Sequence, residues 1–302
     1  MSQKNTYPYF VSGLILCGLG AVCFSTKVIF VKLAYRETAV DPVTLLTLRM
    51  IFSLPFFVIS AWWSSSKTEN IKFTGRQWFA VAVIGCLGYY VSSLLDFWGL
   101  QYVSAGIERL ILFIYPTLVL LMSAIVFQVK IKKMQWLALL VSYAGLTIAF
   151  WGEIKIVDQA EDFYLGALLV FICAITYAIY IAGSGRLIPS IGASKFNSYA
   201  MSFAAIAVVL HFFAVNENSL FDLHPHIYTY SLLMAIFSTV IPSYLIAYGI
   251  KRVGSNNAAI IGSIGPVSTL LQAYFFLQEP IHVPQIMGTC FILVGIILIG
   301  RK

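Results

Sequence analysis

The chain has 302 residues, 60% of them hydrophobic and only 10% charged, with 19 Lys and Arg against 12 Asp and Glu for a formal net charge of +7. A soluble domain typically carries about 25% charged residues, so the composition excludes a soluble fold. The basic excess would suit a nucleic-acid binder, but its placement along the chain argues against one.

Ten apolar runs follow one another, each long enough to cross roughly 30 Å of hydrocarbon as a helix. The first five cover about 10–33, 42–63, 77–99, 105–127 and 134–152, and the second five about 163–183, 197–215, 227–249, 256–277 and 282–300. The sequence therefore predicts an all-α membrane protein of ten transmembrane helices. Most connections are tight: Gln101–Ser104 joins the third and fourth spans, and Lys251–Ser255 the eighth and ninth. Short loops force antiparallel neighbours to pack together.

The chain repeats itself at an offset of 150. Aligning 91–150 with 241–300 needs no gap and pairs Gly99 with Gly249, Pro116 with Pro266, Gln128 with Gln278, Gln135 with Gln285 and Gly145 with Gly295. Two five-helix repeats follow, 1–152 and 153–302. A repeat with an odd number of spans sets its second copy upside down, so the expected architecture is a pair of inverted five-helix repeats, the build of an alternating-access transporter.

With a cytoplasmic N-terminus, thirteen Lys and Arg fall on the inner side, among them Lys130, Lys132, Lys133, Lys251 and Arg252, and only Lys32, Arg36 and Lys155 on the outer side. The positive-inside rule then places both termini in the cytoplasm. The basic excess is a topology signal. The expected location is the cell inner (cytoplasmic) membrane, multi-pass, with the lipid bilayer as partner and no role for nucleic acid.

Five ionisable residues fall within spans, all in the first repeat and all in the outer half of the bilayer: Lys27, Arg49, Asp96, Glu108 and Arg109. Each costs roughly 2.5–3.5 kcal/mol at a bilayer centre, so they should point inward and pair. Two readings stand. The cluster, with net charge +1, is a receptor for a zwitterionic or anionic solute, or holds a proton-coupling carboxylate. Alternatively, Asp96–Arg109 and Glu108–Arg49 are structural ion pairs, with Lys27 snorkelling outward. Ala258 and Ala259 stand in the second repeat where Glu108 and Arg109 stand in the first.

Tyr115, Tyr177, Tyr180 and Tyr248 sit at plausible cavity positions, offering flat apolar faces with a hydroxyl to an amphipathic solute. Pro116 and Pro266, each near the middle of its span, mark a paired helix break or gating point facing a central cavity.

Enzyme signatures are lacking: there is no G-x-S-x-G, no Walker loop and no dinucleotide-binding turn. No cofactor is expected. His224-Pro225-His226 reads as a solvated outer loop, without the third ligand that a metal needs. The five cysteines all lie in spans and show no metal spacing. A cleaved signal peptide is not expected, since the first apolar run is too long for one.

Several stretches resemble the drug/metabolite transporter superfamily, specifically its EamA-type ten-span transporters. They are Gly106–Gly145 with Glu108-Arg109 and Tyr115-Pro116-Thr117, Asn257–Gly295 with Gly265-Pro266 and Leu277-Gln278-Glu279-Pro280, Phe24-Ser25-Thr26 with Lys32, and Thr44–Arg49. The resemblance covers the whole chain. It implies a central cavity between two inverted halves and secondary transport, proton-coupled or facilitated. Small four-span multidrug relatives carry an essential glutamate in their first span, where this chain has only Lys27. A zwitterion or organic anion therefore fits better than a lipophilic cation. The expected function is transport of a small polar or amphipathic metabolite, as an exporter; the rivals are an uptake carrier for a vitamin or nucleoside-like solute and a non-transporting sensor or scaffold. One chain supplies both halves, so a monomer suffices, with a homodimer as the alternative.

Overall fold

In hydrocarbon every backbone N–H and C=O must be satisfied within the segment, which leaves an apolar run only the helix. A computed structural model describes residues 6–66, 72–156, 161–215, 219–278 and 281–300, and among these the regular structure is helical throughout. The order is α1 (Thr6–Glu37), α2 (Pro42–Ser66), α3 (Gly75–Gly85), α4 (Ser92–Tyr102), α5 (Ala105–Leu112), α6 (Tyr115–Ile125), α7 (Lys133–Ile156), α8 (Glu161–Ile191), α9 (Ala193–Val215), α10 (Pro225–Ala235), α11 (Ile241–Val253), α12 (Ser255–Ile261), α13 (Ile264–Gln272) and α14 (Val283–Gly300). A π-helical stretch, Cys86–Val91, fuses α3 to α4, and a second, Ile236–Val240, fuses α10 to α11.

Among the described residues, eight helical runs are long and apolar enough to cross a membrane: Pro8–Glu37, Pro42–Ser66, Gly75–Tyr102, Ala105–Ile125, Asp162–Ile191, Ala193–Val215, Pro225–Val253 and Ser255–Leu277. Val283–Leu298 is a shorter apolar helix. The protein is thus a multi-pass membrane protein.

One junction departs from expectation. The segment after residue 183 reads as an inner loop carrying Arg186 and Lys195, yet α8 runs on to Ile191 and α9 starts at Ala193, joined through Gly192 alone. Gly192 takes φ +87°, which a glycine adopts at little cost. Small residues that look like loop composition instead let helices touch: Gly183 lies under Ile84, and Gly185 under Ser255. Lys195 sits 4.4 Å over the ring of Phe73.

Local geometry recurs at the offset of 150. Gln128 and Gln278 both take left-handed conformations, at φ 54° and 58°. Gln135 accepts through Oε1 from the Lys132 N–H at 3.0 Å, and Gln285 accepts likewise from the His282 N–H at 2.8 Å. The π-helical stretches Cys86–Val91 and Ile236–Val240 also match, while a third, Ala273–Leu277, has no π-helical counterpart among the described residues of the first half.

The main helix contacts join the first half of the chain to the second. α1 packs on α11 and α13, α8 on α4 and α6, α2 on α9, and α7 on α14. Glycines permit the close approach: Gly249 meets Gly13 and Cys17, Gly99 meets Gly166 and Val170, and Gly145 meets Gly288. Lipid tails are as apolar as leucine, so such van der Waals contact, not burial from water, holds the bundle.

Candidate functional site

Two broken helices face each other in the middle of the bundle. α5 stops at Leu112 and α6 starts at Tyr115; α12 stops at Ile261 and α13 starts at Ile264. The breaks at Phe113-Ile114 and Gly262-Ser263 lie one turn or less before Pro116 and Pro266. Each proline therefore sits in the first turn of the following helix, where its missing N–H costs nothing.

The break after Ile261 frees the Ala259 carbonyl, and its new partner comes from across the bundle: the Tyr115 hydroxyl donates to it at 3.1 Å. Beside the break, the Ser25 hydroxyl of α1 donates to the Gly265 carbonyl in the first turn of α13 at 3.0 Å. A side chain at Gly262 would overlap the Tyr115 hydroxyl.

Between the breaks lies a cavity of about 50 Å³. Arg109, Tyr115, Tyr177 and Pro266 line it, joined by Phe24 of α1 and by Ala259, with Ala258 beside it. The alanines leave open the space that the second repeat's counterparts of Glu108 and Arg109 would fill. Tyr177 stacks on Phe24 at 5.9 Å and meets the Tyr115 ring edge-on at 5.1 Å. The wall is thus mainly apolar, with four aromatic rings and a single cation. The volume holds a few waters but falls well short of the roughly 300–1,000 Å³ of an organic-ligand site, so this conformation is closed around its centre.

The charge cluster adjoins this wall. Lys27, Arg49, Asp96, Glu108 and Arg109 are each at most 5% exposed. Lys27 Nζ stands 2.6 Å from Asp96 Oδ2, and Arg109 Nε 3.2 Å from Glu108 Oε2. The Asp96 and Glu108 carboxyls lie against one another. Arg49 donates to the Ser93 hydroxyl at 2.9 Å and lies over the Phe97 ring at 5.0 Å.

These pairings replace Asp96–Arg109, Glu108–Arg49 and a snorkelling Lys27. α1 is enclosed by α11, α13 and α4, so Lys27 has no lipid-facing route and turns to Asp96. Arg49 is not paired with Glu108: α2 packs on α9, α10 and α4, and the guanidinium turns to Ser93 and Phe97 of α4. Among the described residues of this cluster, Arg49 is the cation without an ion pair.

Arg109 belongs to both the charge cluster and the cavity wall. Pro116 is buried in the first turn of α6. Tyr180 stands behind Tyr177, stacked at 6.0 Å. Tyr248 lies away from the cavity, 39% exposed on the bundle surface. Sequence reasoning missed Phe24 and Cys17 as lining residues; the Phe24-Ser25-Thr26 stretch was the available signal. His226 is exposed yet not merely solvated: its Nδ1 lies 2.9 Å from Glu37 Oε2, which also accepts from the Tyr230 hydroxyl at 2.7 Å.

A multi-pass helical membrane protein with paired helix breaks around a closed, partly charged cavity is of the transporter class. Residues 11–151 and 164–301 each match the EamA-like transporter family. The chain belongs to that family. Relatives include the uncharacterized transporter YcbK of Bacillus subtilis, 32% identical over 92% of this chain and 89% of that one. An uncharacterized transporter of Archaeoglobus fulgidus is 24% identical over 90% and 94% of the two chains, and a WAT1-related protein of Arabidopsis thaliana 23% identical over 87% and 82%. A crystal structure with TM-score 0.76 and 17% identity covers 95% of this chain and 97% of its own, showing the same fold.

Proposed function

We propose that this protein is a secondary transporter that exports a small polar or amphipathic metabolite, amino-acid-like or an organic anion, across the cytoplasmic membrane by alternating access. The two sets of five helices, 1–152 and 153–302, act as inverted halves, and the helix breaks at Phe113-Ile114 and Gly262-Ser263 are where they part. The observation that carries this reading is the single cation Arg109 in a largely apolar wall that includes Phe24, Phe113, Tyr115 and Tyr177, between two breaks of similar position. An apolar, partly aromatic cavity with one guanidinium suits a solute with an apolar body and a carboxylate.

The contacting carboxyls of Asp96 and Glu108, next to Arg109, supply a place for a coupling proton. Both termini are cytoplasmic on the charge distribution, and the monomer is the transporting unit.

Counterflow in proteoliposomes tests the reading. Vesicles loaded with pooled amino acids and organic acids should concentrate a labelled member of the pool that the site accepts, and Arg109→Ala should abolish the signal while the protein still melts cooperatively. Absence of counterflow with every pool in folded wild-type protein would favour a sensor or scaffold.

A further inference from the structure

Lys27 with Asp96 and Arg109 with Glu108 stand in two ion pairs, which leaves Arg49 as the member of the cluster without a carboxylate partner among the described residues. Arg49 is 1% exposed, and among the described residues no carboxylate lies within ion-pair distance of it. The acid nearest in electrostatic effect is Asp96, already held at 2.6 Å by Lys27. A guanidinium in a low-dielectric interior normally finds an anion, because desolvation without one is among the largest penalties a fold can carry.

What surrounds Arg49 is poor in acceptors and offers donors. Nη2 uses the Ser93 hydroxyl, the Phe97 ring covers one face, and the buried Nε–H has no partner. The Tyr89 hydroxyl, within electrostatic reach of the guanidinium, is also buried, with the Tyr180 side chain as its neighbour. Tyr89 lies in the π-helical stretch Cys86–Val91, and its ring meets Tyr180 edge-on at 5.0 Å. Tyr180 in turn stacks on Tyr177 of the cavity wall, so this place stands one aromatic layer behind the cavity. N–H and O–H groups around one positive charge without a carboxylate partner form a receptor for a small anion.

We propose that Arg49, with the Tyr89 hydroxyl, binds a small monovalent anion, a halide ion or a small free carboxylate, separate from the solute that Arg109 faces in the cavity.

Full-length protein purified without halide is melted in sodium gluconate at fixed ionic strength, with rising sodium chloride, sodium bromide or sodium formate. A ligand of the folded state raises the melting temperature saturably. A saturable rise with the halides assigns an inorganic ion, and a rise with formate alone assigns a carboxylate. Either rise should vanish in Arg49→Gln. Should that variant not fold, Tyr89→Phe keeps the ring and removes one donor, and the half-saturating concentration should increase about tenfold. No saturable rise with any of the three salts in wild-type protein overturns the assignment. The same holds for an undiminished rise in Arg49→Gln or, where that variant does not fold, an unchanged half-saturation in Tyr89→Phe. The readout is stability, so failure here leaves the counterflow test of transport standing on its own.

Discussion

The Tyr115 hydroxyl reaches across the bundle to the Ala259 carbonyl, at 3.1 Å, and in doing so rests on Gly262. One broken helix is therefore keyed to the other by a single phenol. The bond exists because the break after Ile261 redirects the Ser263 N–H to Ile260 and leaves Ala259 without its helical donor.

Gly262→Ala places a methyl group where the Tyr115 hydroxyl lies. Counterflow should fall by about tenfold or more, the effect of overpacking by roughly 1–3 kcal/mol. Tyr115→Phe added to Gly262→Ala should recover part of that loss. The check is a double-mutant cycle on counterflow rate, and strictly additive effects would mean that the contact does not matter for opening.

Lys27→Met leaves Asp96 buried without the ammonium that stands 2.6 Å away. Removing one partner of a buried pair typically costs about 3–5 kcal/mol, whereas removing both is near neutral. Denaturant unfolding of Lys27→Met should show a loss of that order, and Lys27→Met with Asp96→Asn should regain most of it. Equal loss in the double variant would contradict the pairing.

Glu108→Gln keeps the size of the side chain and removes its proton chemistry. If the carboxyl pair carries the coupling proton, exchange of solute between equal pools continues, while accumulation driven by a pH gradient drops to the level without one. Unchanged gradient-driven accumulation would take Glu108 out of the coupling.

Cys17 lines the cavity and is 3% exposed. In a chain whose other four cysteines are replaced by alanine or serine, a water-soluble maleimide should label Cys17 slowly. Labelling should quicken when the halves part toward the reagent, and a bound solute should slow it again. Rapid labelling that solute leaves unchanged would mean that the cavity is not the solute's path.

Much of this architecture was legible in the residues. The offset of 150 pairs Pro116 with Pro266 and Gln128 with Gln278, and the matched prolines mark matched breaks while the glutamines share a left-handed turn. Burial of Lys27, Arg49, Asp96, Glu108 and Arg109 followed from the cost of charge in hydrocarbon. Who pairs with whom did not follow, because it depends on how α1 and α2 are rotated about their axes and which neighbours enclose them. A uniformly apolar helix carries no periodic signal of its rotation. For the same reason Tyr248 could be placed at a depth but not on a face. The junction at Gly192 was unreadable because small residues serve equally as loop composition and as contact surface.

The exchange of helix faces between the two ends of the chain has a bearing on biogenesis. While the ribosome is still making α8 to α14, the finished helices sit in lipid with their glycine-lined faces bare, held to one another by polar links such as Lys27 to Asp96 and Lys32 to the Leu100 carbonyl. Both partners of that ion pair lie within the first 96 residues, whereas Gly13 and Gly145 must wait for Gly249 and Gly288. The early intermediate is thus kept insertable by electrostatics and finished by shape, and a nascent chain halted at its middle would persist as an unsealed bundle for quality control to recognise.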